Sequence, residues 1–340
     1  MRRIALAVSA ALAVLTMLQG ARAGDSFKLR ASVDTSMTHG RTIALSDYLK
    51  KLEDRSGGRI ETQLFHSGQL FRDRDVMKAL RQGGVEMAMP GTWVLTGFVP
   101  DADVFQLPSF FGQTLETDYR AADGRIGGRL NDSFETSLQV KVLGLWLPLG
   151  YQNTYTTSKP LRSFDDLASM KIRNSGGAGQ GIRARFFKAQ PNVTAWPDVP
   201  LALSQGTFDG LSSTDESLAS AKLWESGVKY GFEDHEFVGF YVPMVSGTFY
   251  RKLPGDLQAL VVDIWKENIA AYRTQMEEAQ TEARRTLENN GIRFFSPPQG
   301  KLAEFREKML QNEDAVAVEL RISPAMRDLV KAEFNREAVH

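Results

Sequence analysis

The sequence predicts an α/β fold built as two lobes, with one long helix towards the C-terminal end. Three observations predict it. Strand-like and helix-like stretches alternate between residues 27 and 89 and again between 140 and 211, the pattern of a sheet with helices on its faces. Removal of an N-terminal leader leaves 340 − 23 = 317 residues, a length that suggests two units. Asp256 to Asn290 contains neither Gly nor Pro over 35 residues. A helix of that length reaches about 52 Å, longer than one lobe of this size, and is expected to run across both.

In chain order, Phe27–Val33 reads as a strand and Thr42–Arg55 as a helix, with Ile43, Leu45, Tyr48, Leu49 and Leu52 near helical spacing and Gly57-Gly58 as its stop. Arg59–Phe65 alternates as a strand does, Asp73–Gln82 returns to helix before Gly83-Gly84, and Val85–Met89 is a short apolar strand. After a middle region, Val140–Leu147 is a strand and Ser163–Ala168 a capped helical turn. Met170–Arg173, Asn192–Ala195 and Thr207–Leu211 are strands, interleaved with helices at Gly181–Ala189 and Val199–Gln205. Phe237–Thr248 is a long β-rich run, and Gly291 is placed to end the long helix.

The first residues read as an export leader. Arg2 and Arg3 precede an apolar run from Ile4 to Leu18, followed by the small-x-small site Ala21-Arg22-Ala23. The run is short for a bilayer span, so cleavage after Ala23 is expected rather than a retained anchor. Without Arg2, Arg3 and Arg22 the chain holds 41 − 3 = 38 basic against 41 acidic residues. That balance offers no stripe for phosphate neutralisation and no polybasic segment for anionic lipid, so nucleic acid is not an expected partner. Cysteine is absent, which removes thiol catalysis, cysteine zinc sites and iron–sulfur clusters. A chain this long buries enough core to do without disulfides outside the cell.

Motifs for chemistry are sparse. His39, His66, His235 and His340 share no helix face, and neither HExxH nor a calcium loop occurs, so no metal is expected. No GxSxG occurs, and Ser212-Ser213 has no evident base. Asp165-Asp166 fits the first turn of a helix. Lys171–Phe187 runs from strand through a glycine-rich loop to helix, a geometry that presents N–H groups to an anion. Its GGxGxG spacing departs from the dinucleotide fingerprint, and no cofactor is expected. Arg173 stands at the exit of that strand. Ligands of α/β sheets gather at strand ends, and an arginine there can fork two hydrogen bonds onto a carboxylate.

Five segments, in order, resemble the solute-binding proteins of TRAP transporters, the DctP-like family. They are residues 57–89 (GGRIETQLFHSGQLFRDRDVMKALRQGGVEMAM), 106–111 (QLPSFF), 150–173 (GYQNTYTTSKPLRSFDDLASMKIR), 195–210 (AWPDVPLALSQGTFDG) and 249–261 (FYRKLPGDLQALV). The resemblance covers nearly the whole mature chain. It implies a two-lobed, periplasmic-binding-protein-like fold with a ligand cleft between lobes that close like a hinge, joined by crossing strands and braced by the long helix. It implies lobe I from 24–149 and about 238–275, and lobe II from 150–237 and about 276–340. It also implies a periplasmic monomer that catalyses nothing, captures a small carboxylate and delivers it to a TRAP membrane permease. A ligand sensor, or an enzyme on a similar bilobed fold, is the alternative.

The resemblance places the family's carboxylate-clamping arginine on Arg173, a stacking aromatic on Trp196 and the family's asparagine on Ser213. Three departures stand out. Gln152 replaces an arginine, Leu211-Ser212-Ser213-Thr214 replaces Q-E-N-P, and Arg72 is a positive charge where the family carries an acidic or small residue. Arg72 either replaces the charge missing at Gln152 and holds the far end of a diacid or sugar acid, or is a solvated surface arginine. Asp34 and His39 in the first loop, with Thr92 and Trp93 after the third strand, complete the expected lining.

Overall fold

The computed structural model describes residues 26–337. The leader, the cleavage site after Ala23 and His340 lie outside the described residues. Two sheets form the frame, and the chain passes between them more than once.

The first sheet has the order β2-β1-β3-β10-β4. Its strands are β1 (Phe27–Ser32), β2 (Ile60–Phe65), β3 (Met87–Ala88), β4 (Val140–Val142) and β10 (Met244–Ser246). β2 and β3 run parallel to β1, while β10 runs antiparallel to β3 and β4. Helix α1 (Gly40–Arg55) connects β1 to β2, burying Leu45, Tyr48, Leu49 and Leu52. Ile43 is exposed, so it lies outside that apolar stripe. Gly57 and Gly58, both at positive φ, end the helix. Helix α2 (Asp73–Gln82) follows β2 and stops at Gly83, whose φ of 75° an L side chain rarely adopts. Next come α3 (Thr92–Leu95), α4 (Leu115–Asp123) and α5 (Arg125–Leu138).

The second sheet has the order β11-β9-β5-β8-β6-β7. It contains β5 (Leu147–Thr156), β6 (Lys171–Asn174), β7 (Gln190–Val193), β8 (Gly210–Ser213), β9 (Tyr230–Tyr241) and β11 (Arg293–Phe295). Between them lie α6 (Ala178–Phe186), α7 (Val199–Ser204) and α8 (Asp215–Ser220). The expected capped turn is a 3-10 helix over Phe164–Leu167, closed by a capping box between Ser163 and Asp166.

Two expected strands are each divided. Val140–Leu147 is β4 and the start of β5, and Phe237–Thr248 is the end of β9 followed by β10 and the start of α9 (Gly247–Lys252). The breaks fall where the chain changes sheet. β5 and β9 pair antiparallel from Leu147↔Tyr241 to Thr156↔Tyr230 and form the crossing between the two units.

Helix α10 (Gly255–Asn289) is one 35-residue element, which packs on α1 of the first unit and on β5 and α8 of the second. Leu257, Val261, Ile264, Trp265, Ile269, Tyr272 and Met276 form its buried stripe. Each such aliphatic side chain contributes about 1.5–3 kcal/mol by leaving water. Asn290 caps it and Gly291 follows at φ 85°.

The C-terminal segment departs from the expected boundary. α11 (Lys301–Leu310) packs on the second unit, where Phe305 lies 4.6 Å from Phe164. α12 (Glu313–Glu319) and α13 (Pro324–Glu337) then return towards the first. Ala317, Leu320, Ile322, Met326 and Val330 join the core of Phe105, Phe110, Leu130 and Phe134. The apolar face of α5 is thus covered by the chain end that had been expected in lobe II. No helix among the described residues is long and apolar enough to cross a membrane.

Candidate functional site

A cavity of about 490 Å³, mouth included, lies between the units where the crossing strands meet. Its first wall is Asp34 and Thr35 after β1, Asp73 and Arg74 at the start of α2, and Trp93 in α3. Its floor is Leu149 and Gln152 of β5 and Tyr241 of β9. Its far wall is Arg173 of β6, Ser175, Ala195, Trp196, Ser213 at the end of β8, and Ser217 of α8. Most of these positions are strand ends or the residues just after them, where parallel sheets present ligands.

Arg173 dominates the far wall. β6 is flanked by β7 and β8, so its side chain is enclosed and 2% exposed. Nε and Nη2 donate to the Thr194 carbonyl at 2.9 and 2.8 Å, and Nη1 to Ser175 Oγ at 3.3 Å. The guanidinium stands 5.3 Å from the centre of the Trp196 ring. Among the described residues no carboxylate forms an ion pair with it. Burial therefore pulls its pKa down to about 10. A buried cation held by neutral acceptors alone is costly unless an anion completes it.

The opposite wall is organised by Arg41, which is fully buried. Its guanidinium pairs with the Asp34 carboxylate, donates to Asp73 Oδ1 at 3.2 Å, to the Met89 carbonyl at 3.0 Å and to Thr35 Oγ1 at 3.2 Å. It lies 4.1 Å from the Tyr241 ring centre. Two carboxylates thus share one cation. Burial, then the neighbouring Asp34 charge, pushes Asp73 up to about 7.

Gln152 is buried with its Nε2 unpartnered, a free donor at the floor of the cavity. Trp93 meets Tyr241 edge to face at 5.6 Å. Gly91 and Gly239 make room for its indole, because a Cβ at Gly91 would fall 2.2 Å from the ring.

The structure brings Arg173, Trp196, Ser213, Gln152, Trp93 and Asp34 around one cavity. Thr92, His39 and Arg72 do not line it. Thr92 is buried beside Trp93. His39 caps α1, its Nδ1 accepting from the Arg41 N–H at 3.0 Å. Its Nε2 faces Ser217 Oγ at 3.1 Å and Glu216 at 3.0 Å, so it joins the two units behind the cavity. Arg72 is half exposed at the rim and forms an ion pair with Asp198 of the other unit, which spends the charge expected to hold a diacid. Thr35, Asp73, Arg74, Leu149, Ser175, Ala195, Ser217 and Tyr241 were not foreseen as lining. Asp73 and Arg74 lie within the family-like segment 57–89, and Ala195 opens the segment 195–210.

The profile of the DctP family, bacterial extracellular solute-binding protein family 7, matches residues 32–318. The C4-dicarboxylate-binding protein DctB of Bacillus subtilis is 24% identical over 252 residues, 73% of this chain and 70% of that protein. The sugar acid binding protein DctPAm of Advenella mimigardefordensis, solved with galactonate, superposes with a TM-score of 0.86 at 17% identity, covering 92% of this chain and 99% of that one. A TRAP periplasmic solute-binding protein of Desulfovibrio salexigens, solved with orotic acid, gives 0.84 at 20% identity, covering 92% and 99%.

Proposed function

This chain belongs to bacterial extracellular solute-binding protein family 7, and from that premise we propose that it captures a small carboxylate-bearing solute between its lobes. It hands the solute to a TRAP-type membrane permease. It works as a monomer outside the cytoplasmic membrane, after loss of residues 1–23, and catalyses nothing.

The observation that carries this reading is Arg173. It is a buried guanidinium in an inter-lobe cavity with no acidic partner among the described residues. A carboxylate docked there forms a charge-assisted, two-point pair, stronger than neutral hydrogen bonds. The surroundings suit a compact polar acid. Trp93 and Trp196 provide flat apolar faces, Gln152 a free amide, Ser213 a hydroxyl, and Asp34 and Asp73 acceptors for solute hydroxyls. Proteins similar to this chain carry names or bound ligands that are a C4-dicarboxylate, galactonate and orotic acid. They share a carboxylate and little else.

A thermal-shift screen of succinate, orotate, D-galactonate and D-glucuronate identifies binders, since a ligand of the folded state raises the melting temperature by mass action. Calorimetry with the best binder then compares wild type with Arg173→Ala and Arg173→Lys. Truncating one partner of a desolvated charge pair costs about 2–5 kcal/mol, or roughly 30-fold to several thousand-fold in affinity. Lysine keeps the charge but loses the planar fork, so it also weakens binding. A well-folded Arg173→Ala protein that binds within about threefold of wild type sinks the reading.

A further inference from the structure

A second uncompensated cation faces the same cavity. Arg74, in the first turn of α2, lines the cavity from the lobe opposite Arg173. Among the described residues it makes no hydrogen bond and no ion pair. The two nearby acids are already engaged, because Asp34 and Asp73 both bind Arg41.

The chain opposite is shaped to admit it. Gly176, in the loop after β6, has φ 112°, and a Cβ built there would sit 3.7 Å from Arg74 Nη2. Any side chain at this position would occupy space beside the guanidinium. Arg74 therefore crosses the cleft and lies against the loop that begins at Arg173. The lining and its support hold three arginines (41, 74, 173) and two aspartates (34, 73), a surplus of 3 − 2 = 1 positive charge.

We propose that Arg74 is a second anion contact of the site, and that one carboxylate of the solute bridges it to Arg173 across the cleft. This rests on the carboxylate-binding reading above and adds the residue that couples charge to closure. With the cleft empty, two guanidiniums on opposite lobes repel each other, and the Arg74 charge is one of the influences that weaken the hold of Arg173 on its proton, after burial itself. An anion between them converts repulsion into two attractions, one to each lobe. A neutral analogue of the same shape offers no such gain, so selectivity for acids and retention of the closed lobes arise from one interaction.

The test is a charge series at position 74. Arg74 is exposed and stands in a first helical turn, where lysine, glutamine and glutamate are all compatible with folding and an acid is favoured. The probe is whichever of succinate, orotate, D-galactonate and D-glucuronate binds wild type most tightly. Affinity is expected to fall in the order Arg, Lys, Gln, Glu, by roughly tenfold from Arg to Gln, with most of the loss in the dissociation rate. Gln and Glu proteins that bind like the Lys protein would show a steric role and overturn the proposal. So would a loss seen with succinate but not with butyrate, because Arg74 would then hold a second acidic group. Arg173→Ala, measured alongside, keeps the two readings apart. If it abolishes binding while Arg74→Gln does not weaken it, the bridge fails and the carboxylate site stands. If Arg173→Ala binds normally, the carboxylate site itself fails.

Discussion

At the scale of single residues, the lining of the cavity was partly legible. Arg173 could be read because a strand exit and a family pattern coincide there. Arg72 could not be told from Arg74, because the rotation of a helix start is not written in composition. Arg72 is the N-cap of α2 with extended backbone, and each later residue turns by about 100°. Two positions therefore send one arginine to the rim and Asp198, and the other into the cavity. Tyr241 and Leu149 left no signal, since crossing strands bring them in from far along the chain. Asp73 supports a prediction on pH. Its folded pKa, about 7, lies above the ordinary 3.8 because burial and the adjacent Asp34 disfavour its charge. The folded state thus holds the proton more tightly, and stability falls as pH rises between these two values. Asp73→Asn mimics the protonated form. Melting curves of wild type and Asp73→Asn, without solute, should differ little near pH 4 and separate progressively up to about pH 7, with the variant higher. A gap of equal size at both pH values contradicts the assigned titration.

At the scale of elements, period and punctuation served well where one element fills one layer. α2 matches its expected span, and α10 differs from its own by one residue at each end. They failed where the chain changes layer, because an apolar run reads alike on either side of a crossing. The residues 143–146 and 242–243 look like continued strand yet carry the backbone from one sheet to the other. The short helices of the C-terminal segment follow a similar logic, since their burial depends on the apolar face of α5. The joint between β5 and α10 yields a second prediction. Gly150 has φ 88° and lies against Gln280, whose side chain would be 3.1 Å from an added Cβ. Gln280 donates to the Leu149 carbonyl at 2.6 Å and accepts from the Glu216 N–H at 3.0 Å, tying α10 to both β5 and α8. Gly150→Ala combines backbone strain with loss of that tie and should destabilise by about 2–3 kcal/mol. Gly97→Ala, with nothing within 4 Å, is the control. Equal denaturation midpoints for the two variants refute the assignment.

At the scale of the whole molecule, contacts between the lobes ring the cavity. Arg72 and Asp198 close the rim, His39 meets Glu216 and Ser217 behind it, and Asp103 accepts from the Gly179 N–H at 3.3 Å on the far side. The Arg72–Asp198 pair is about half exposed on both sides, and such pairs contribute about 0–1 kcal/mol. Arg72→Ala should therefore weaken solute binding by no more than about fivefold, equally for monoacids and diacids, which revises the role expected from sequence. Calorimetry with succinate and butyrate checks it, and a larger loss for succinate would restore Arg72 to the site. The interleaving of the lobes has a further consequence, for the order in which the protein can be made. β3 finds its neighbour β10, at Met87↔Val245 and Ala88↔Met244, only after more than half the chain has been synthesised. Until then the first sheet ends in an unpaired edge, and its core lacks Trp265 and the rest of the α10 stripe. A nascent chain of some 240 residues should accordingly stay open and sensitive to protease, folding only once its last third has emerged. A fragment 24–242 that resists proteolysis as the full chain does would show that the first lobe assembles alone. The late arrival of β10 and α10 would keep the chain threadable through a narrow pore, which suits the export proposed above.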